Sequence, residues 1–160
     1  MSCYRFNSQS LYSLKGQTTR CSLFDGRVLA ADVPISVPDD PTIPSAWALL
    51  RRIHPNQIVR DKNKGMPRPS SAAFRDPNLS VDMEAILHSN GFDWKFSLAS
   101  YPGYSLVRFT AGEARAQNQA IVRSPLAHNP AHGEVVGAKP KPVQTAFTQF
   151  ATWAYLIESR

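Results

Sequence analysis

Apolar residues return every third or fourth position in some stretches of this chain and every second position in others. The first spacing predicts amphipathic helix, the second a half-buried strand. In residues 45–53 (SAWALLRRI), Trp47, Leu50 and Ile53 stand three apart. Ser45 can cap the first turn, and His54-Pro55 stops the last, so a short helix is predicted there. Residues 79–92 (LSVDMEAILHSNGF) predict the clearest helix. Ser80 is its cap, Asp82 and Glu84 sit in its first turn, Met83, Ile86 and Leu87 form the buried stripe, and Asn90-Gly91 ends it. Residues 143–158 close the chain as an amphipathic helix, with Val143, Ala146, Phe147, Phe150, Ala151 and Ala154 at helical spacing.

Period two dominates elsewhere. Phe92, Trp94, Phe96 and Leu98 alternate with Asp93, Lys95 and Ser97, which predicts a half-buried strand. NQIVRD is a short strand, DKNKG a polar turn closing at Gly65, and SSAAF a second strand paired with the first. SYPGY is a turn, and YSLVRFTA a well-buried strand that carries Arg108. Residues 112–118 form a short helical turn, QAIVRSPL and HGEVVG two further strands, and AKPKP a spacer. Strands and helices mix without a regular βαβ cycle. The predicted class is therefore α+β: a mostly antiparallel sheet of about 4–6 short strands with two or three helices on one face.

Ahead of this domain, residues 1–20 are polar and aperiodic, and residues 21–33 predict a hairpin turning at Asp25-Gly26. Four prolines then fall between Val33 and Pro44, which predicts an extended strap. Residues 1–44 are thus read as an arm and proline-rich strap, and residues 45–160 as a single α+β domain. A chain of 160 residues buries roughly two-thirds of its unfolded surface and needs no disulfide or metal to fold. Its only cysteines, Cys3 and Cys21, lie near one end and are read as free thiols. No apolar run approaches a bilayer span and the first residues lack signal-peptide character, so a soluble, cytoplasmic protein without membrane contact is expected.

Charge changes the picture. Residues 51–75 carry seven Lys and Arg, namely Arg51, Arg52, Arg60, Lys62, Lys64, Arg68 and Arg75, against the single acid Asp61. That stretch alone matches the chain's net charge of +6. Gathered cations suit an anionic ligand such as nucleic acid, a nucleotide or an acidic protein partner. The same composition also suits a solvated Lys-rich turn, and Arg51 and Arg52 also suit the negative end of a helix. Only Phe74 lies within the stretch, so it is no stacking platform for single strands.

Imidazoles supply the second candidate. His54 follows Arg51-Arg52, and His128 and His132 sit in AHNPAHGE. Two imidazoles flanking a phosphodiester can act as base and acid, with an arginine holding phosphoryl charge. Ser70 and Ser71 are candidate nucleophiles or hydrogen-bond donors. A histidine before proline is more often a helix terminator or a satisfied hydrogen-bonding residue. Pro130 between His128 and His132 argues against a metal pair on one helical face, and no HExxH or CxxC pattern occurs, so no metal is expected. No Walker loop, GxGxxG or GxSxG elbow is present and no cofactor is implied. Aromatic residues at Phe92–Phe96 and Phe147–Phe150 are read as core, and an exposed Trp153 would dock a partner.

From about Leu50 to Gly137 the chain carries RRIHP, RPSSAAF, SVD, PGYSLVRFTAG and NPAH. This arrangement resembles a group of small bacterial proteins to which no activity is assigned. The resemblance implies that His54, Arg68, Ser70, Ser71 and His132 lie in the family-like part, and that the first 45 residues stand outside it. Three expectations follow. The first is a small cytoplasmic bacterial binding or accessory protein for an anionic ligand. The second is a metal-independent phosphodiester or nucleotidyl-processing enzyme using His54 and His132. The third is a structural module whose C-terminal helix or proline strap docks on a protein partner.

Overall fold

A computed structural model describes residues 38–157. The predicted arm, the Asp25-Gly26 hairpin, the start of the strap and both cysteines lie outside the described residues. The elements run β1 (Ala48–Ile53), β2 (Ile58–Arg60), β3 (Pro67–Pro69), β4 (Asn78–Met83), α1 (Glu84–Ser89), β5 (Ser105–Thr110), α2 (Ala111–Arg115), β6 (Ala120–Arg123), β7 (His132–Val136), α3 (Lys141–Phe150) and β8 (Thr152–Tyr155). Six strands form one antiparallel sheet in the order β6-β7-β4-β1-β5-β8. β2 and β3 form a separate two-stranded ribbon. The fold is α+β, as the mixed periodicity predicts. No helix among the described residues is long and apolar enough to cross a membrane.

Residues 48–53 are strand, not helix. β1 lies between β4 and β5, and Leu49, Leu50 and Ile53 are all buried. A strand covered on both faces buries adjacent positions, so its apolar residues fall at spacings that imitate a helix. Directly opposed residues share a face. Leu49, Met83 and Phe109 therefore line one face, and Leu50, Asp82, Arg108 and His132 the other. On the first face Phe147 of α3 stacks on Phe74 at 5.3 Å and meets Phe109 edge-on at 5.2 Å. These three rings are fully buried and anchor the core.

Other predicted elements differ in kind or length. The helix predicted from Leu79 begins only at Glu84, because residues 78–83 pair with β7 and β1 as strand. Ser80 lies inside that strand opposite Glu134 and caps nothing. SSAAF does not pair with β2; Pro67–Pro69 does, and Ser71–Phe74 coil into a single 3-10 turn that buries Ala73 and Phe74. The aromatic alternation at 92–98 is a 3-10 helix (Trp94–Leu98), started by the Asp93 carboxylate accepting the Lys95 N–H at 2.9 Å. Its turn brings Phe92 and Phe96 into a stack at 4.3 Å. The C-terminal helix stops at Phe150, and Thr152–Tyr155 extend to cover the outer edge of β5. A β-branched and aromatic run beside an open edge gains more as strand than as another helical turn.

The residues before β1 are held by polar contacts. Asp39 accepts the Ile121 N–H at 2.7 Å and pairs with Arg115 at 2.9 Å, while Arg115 also donates to the carbonyls of Asp40 and Ile43.

Candidate functional site

The basic stretch divides among three surroundings. Arg51 turns inward and donates to the Ser80 carbonyl at 3.0 Å. Burial lowers its pKa, with Arg52 adding to the shift and Asp76 opposing it. Arg52 lies on the other face, its guanidinium 4.4 Å from the Tyr101 ring centroid and 3.6 Å from Asp82. Arg60, Lys62, Lys64 and Arg68 belong to the ribbon, and Arg75 is exposed just beyond the Ser71–Phe74 turn.

Asp61 builds the ribbon's turn. Its Oδ1 accepts the amides of Asn63 and Lys64, both at 2.9 Å, and its carbonyl accepts the Gly65 N–H. Gly65 has φ +67°, a conformation that glycine adopts freely. The amides of Lys64 and Asn63 hold the Asp61 carboxyl below the usual carboxylate range. Its Oδ2 is 3.3 Å from Arg68 Nε. Arg60, Lys62 and Lys64 are exposed and make no ion pair among the described residues.

Beside this ribbon α3 and β8 complete a groove of about 860 Å³. Lys64 and Arg68 enter from the ribbon, and Lys141 from the first turn of α3, with Asp61 as the one acid among the lining residues. Lys141 Nζ donates to Ser71 Oγ at 2.5 Å, and Trp153 Nε1 to the Pro67 carbonyl at 3.0 Å. Thr145, Thr148 and Gln149 add hydrogen-bonding side chains along α3. Trp153 thus braces the ribbon.

The second site lies on the sheet's polar face. Asp82 of β4 stands opposite His132 of β7, and both are buried. Asn129 Nδ2 donates to Asp82 Oδ1 at 2.8 Å; His132 Nδ1 is 3.9 Å from the same oxygen. Arg52, Ser97, Tyr101, His128 and His132 line a cavity of about 210 Å³ in front of this cluster.

The two predicted imidazoles do not meet there. His54 starts the Pro55–Gln57 turn: its Nδ1 accepts the Asn56 N–H at 3.1 Å, and its ring meets Tyr104 edge-on at 5.0 Å. Ser70 is half-buried, its amide donating to the Gln57 carbonyl. Ser71 and Arg68 line the groove, and His132 the cavity. Among the described residues no three His, Cys, Asp or Glu converge as metal ligands.

Sequence reasoning missed Asp82, Asn129, Ser97, Tyr101 and Lys141. Asp82 carried a readable signal: an acid between Val81 and Met83 has apolar neighbours on both sides, as a buried strand requires. Lys141 carried none, since its partner Ser71 is 70 residues away. Lys139 was also passed over. It is buried and donates to the carbonyls of Pro77, Val135 and Gly137, joining β7 to the start of α3. Burial pushes its pKa down to about 8, with Asp76 opposing the shift and Arg51 adding to it.

Comparison with protein-family models, with curated proteins and with solved structures finds no match to this chain.

Proposed function

We propose that this is a small bacterial binding or accessory protein that holds an anionic, phosphate-bearing ligand in the groove between the ribbon and α3. The observation carrying this reading is the approach of Lys141 to Lys64 and Arg68, cations from distant parts of the chain, around one opening with a single acid. The Ser71 hydroxyl, which accepts from Lys141, keeps its own O–H as a neutral donor to the same space. Lysines act as mobile point charges, and arginine can fork onto two phosphate oxygens. Arg60 and Lys62, exposed on the ribbon, extend the positive field beyond the opening. Nucleic acid is the ligand that repeats phosphate along an open groove.

The test is binding of a labelled single-stranded oligonucleotide between about 50 and 200 mM salt. Three phosphate contacts give a slope near −2 in log affinity against log salt, at about −0.7 per contact. Replacing Lys64, Arg68 and Lys141 together by alanine abolishes binding. Undiminished affinity in that folded variant rejects the reading.

A further inference from the structure

The cavity on the polar face lies apart from the groove. Two of its lining groups hold buried atoms without a hydrogen-bond partner among the described residues, and a third, Arg52, is held there by an ion pair without a hydrogen bond. Ser97 is 2% exposed and its Oγ makes no hydrogen bond among the described residues. His132 is 8% exposed, and its Nδ1 makes none among the described residues, facing Asp82 Oδ1 at 3.9 Å. Arg52, with a side chain 17% exposed, makes no hydrogen bond among the described residues; Asp82 approaches only to 3.6 Å. Buried polar groups without partners are costly, and a guanidinium with free donors matches an oxyanion in a fork. Asp82 is 1% exposed and lies behind Arg52, so it offsets much of the cation's charge without entering the cavity. That leaves attraction for a monoanion and little for a dianion. Phe96, Tyr101 and Leu126 form an apolar wall. At about 210 Å³ the space is smaller than the roughly 300–1,000 Å³ of pockets for drug-sized molecules.

We propose that this cavity binds a small monocarboxylate with an apolar body, its carboxylate held by Arg52 and Ser97 and its body against Phe96, Tyr101 and Leu126. Arg52 is fixed for that task by its stack on Tyr101. His132 stands beside the carboxylate, backed by Asp82 and Asn129. The site stands whether or not the groove binds nucleic acid.

Benzoate is the probe. Titrating sodium benzoate into the isotope-labelled full chain, against sodium chloride as control, shifts the amides of Ser97 and Tyr101 and the His132 ring to saturation. Ser97→Ala, a small change that leaves the Arg52–Asp82 pair intact, weakens binding by about tenfold, as loss of one charged hydrogen bond does. Arg52→Gln abolishes it. Shifts no larger than those of chloride overturn the proposal. So does unaltered binding in folded Ser97→Ala, or saturation of the same residues by inorganic phosphate at lower concentration than benzoate.

Discussion

Arg52 and Arg68 belong to one basic stretch, yet they work in opposite surroundings. Arg68 lies on a ribbon, its side chain 42% exposed, and meets an Asp61 whose carboxylate is already engaged by two backbone amides. Arg52 is nearly covered and faces an Asp82 that water does not reach. In high dielectric a charge pair is weak and screened by salt; in a covered sheet face a lone charge is severely destabilising. The ribbon's cations are therefore held weakly or stand unpaired among the described residues, whereas Arg52 is part of the fold.

The contrast breaks most sharply at Asp82. Asp82→Ala leaves Arg52 without its acid and Asn129 without its acceptor, and should cost about 3–5 kcal/mol by denaturant unfolding. The loss should persist in high salt. A loss below about 1 kcal/mol would mean that the two regions share one electrostatic regime.

Lys139 sharpens it further, as another buried cation. Its folded pKa of about 8 lies below the ordinary lysine range. Between the two values the unfolded chain still binds the proton that the folded chain has released. Stability should therefore rise as pH increases from 8 into the usual lysine range. Lys139→Met, which cannot titrate, should flatten that rise; an identical pH profile in the variant would refute the assignment. The smallest effect belongs to the ribbon: Lys62→Ala should alter unfolding free energy by no more than about 0.5 kcal/mol. A larger loss would show that this exposed charge is structural.

Elements whose cause is local were legible. The Asp61-to-Gly65 turn follows from an aspartate that caps its own turn and a glycine with positive φ. Strands β5, β6 and β7 follow from β-branched runs between turn residues. Elements whose cause is a distant partner were misread. β1 resembles a helix until it is seen paired along both edges with β4 and β5 and buried on both faces, and β8 resembles the end of α3 until the edge of β5 is seen to need it. The candidate sites divide likewise. The ribbon's cations stand out as composition, but the groove needs Lys141 beside Ser71, and the cavity needs Asp82 opposite His132.

The chain alone was enough to establish the α+β class, the polar turn and the concentration of positive charge, because each rests on neighbours within a few residues. Which of those charges face water, and which are locked against a carboxylate, was decided by strand pairing. Register across a sheet joins residues far apart in the chain, and no local periodicity encodes that partnership.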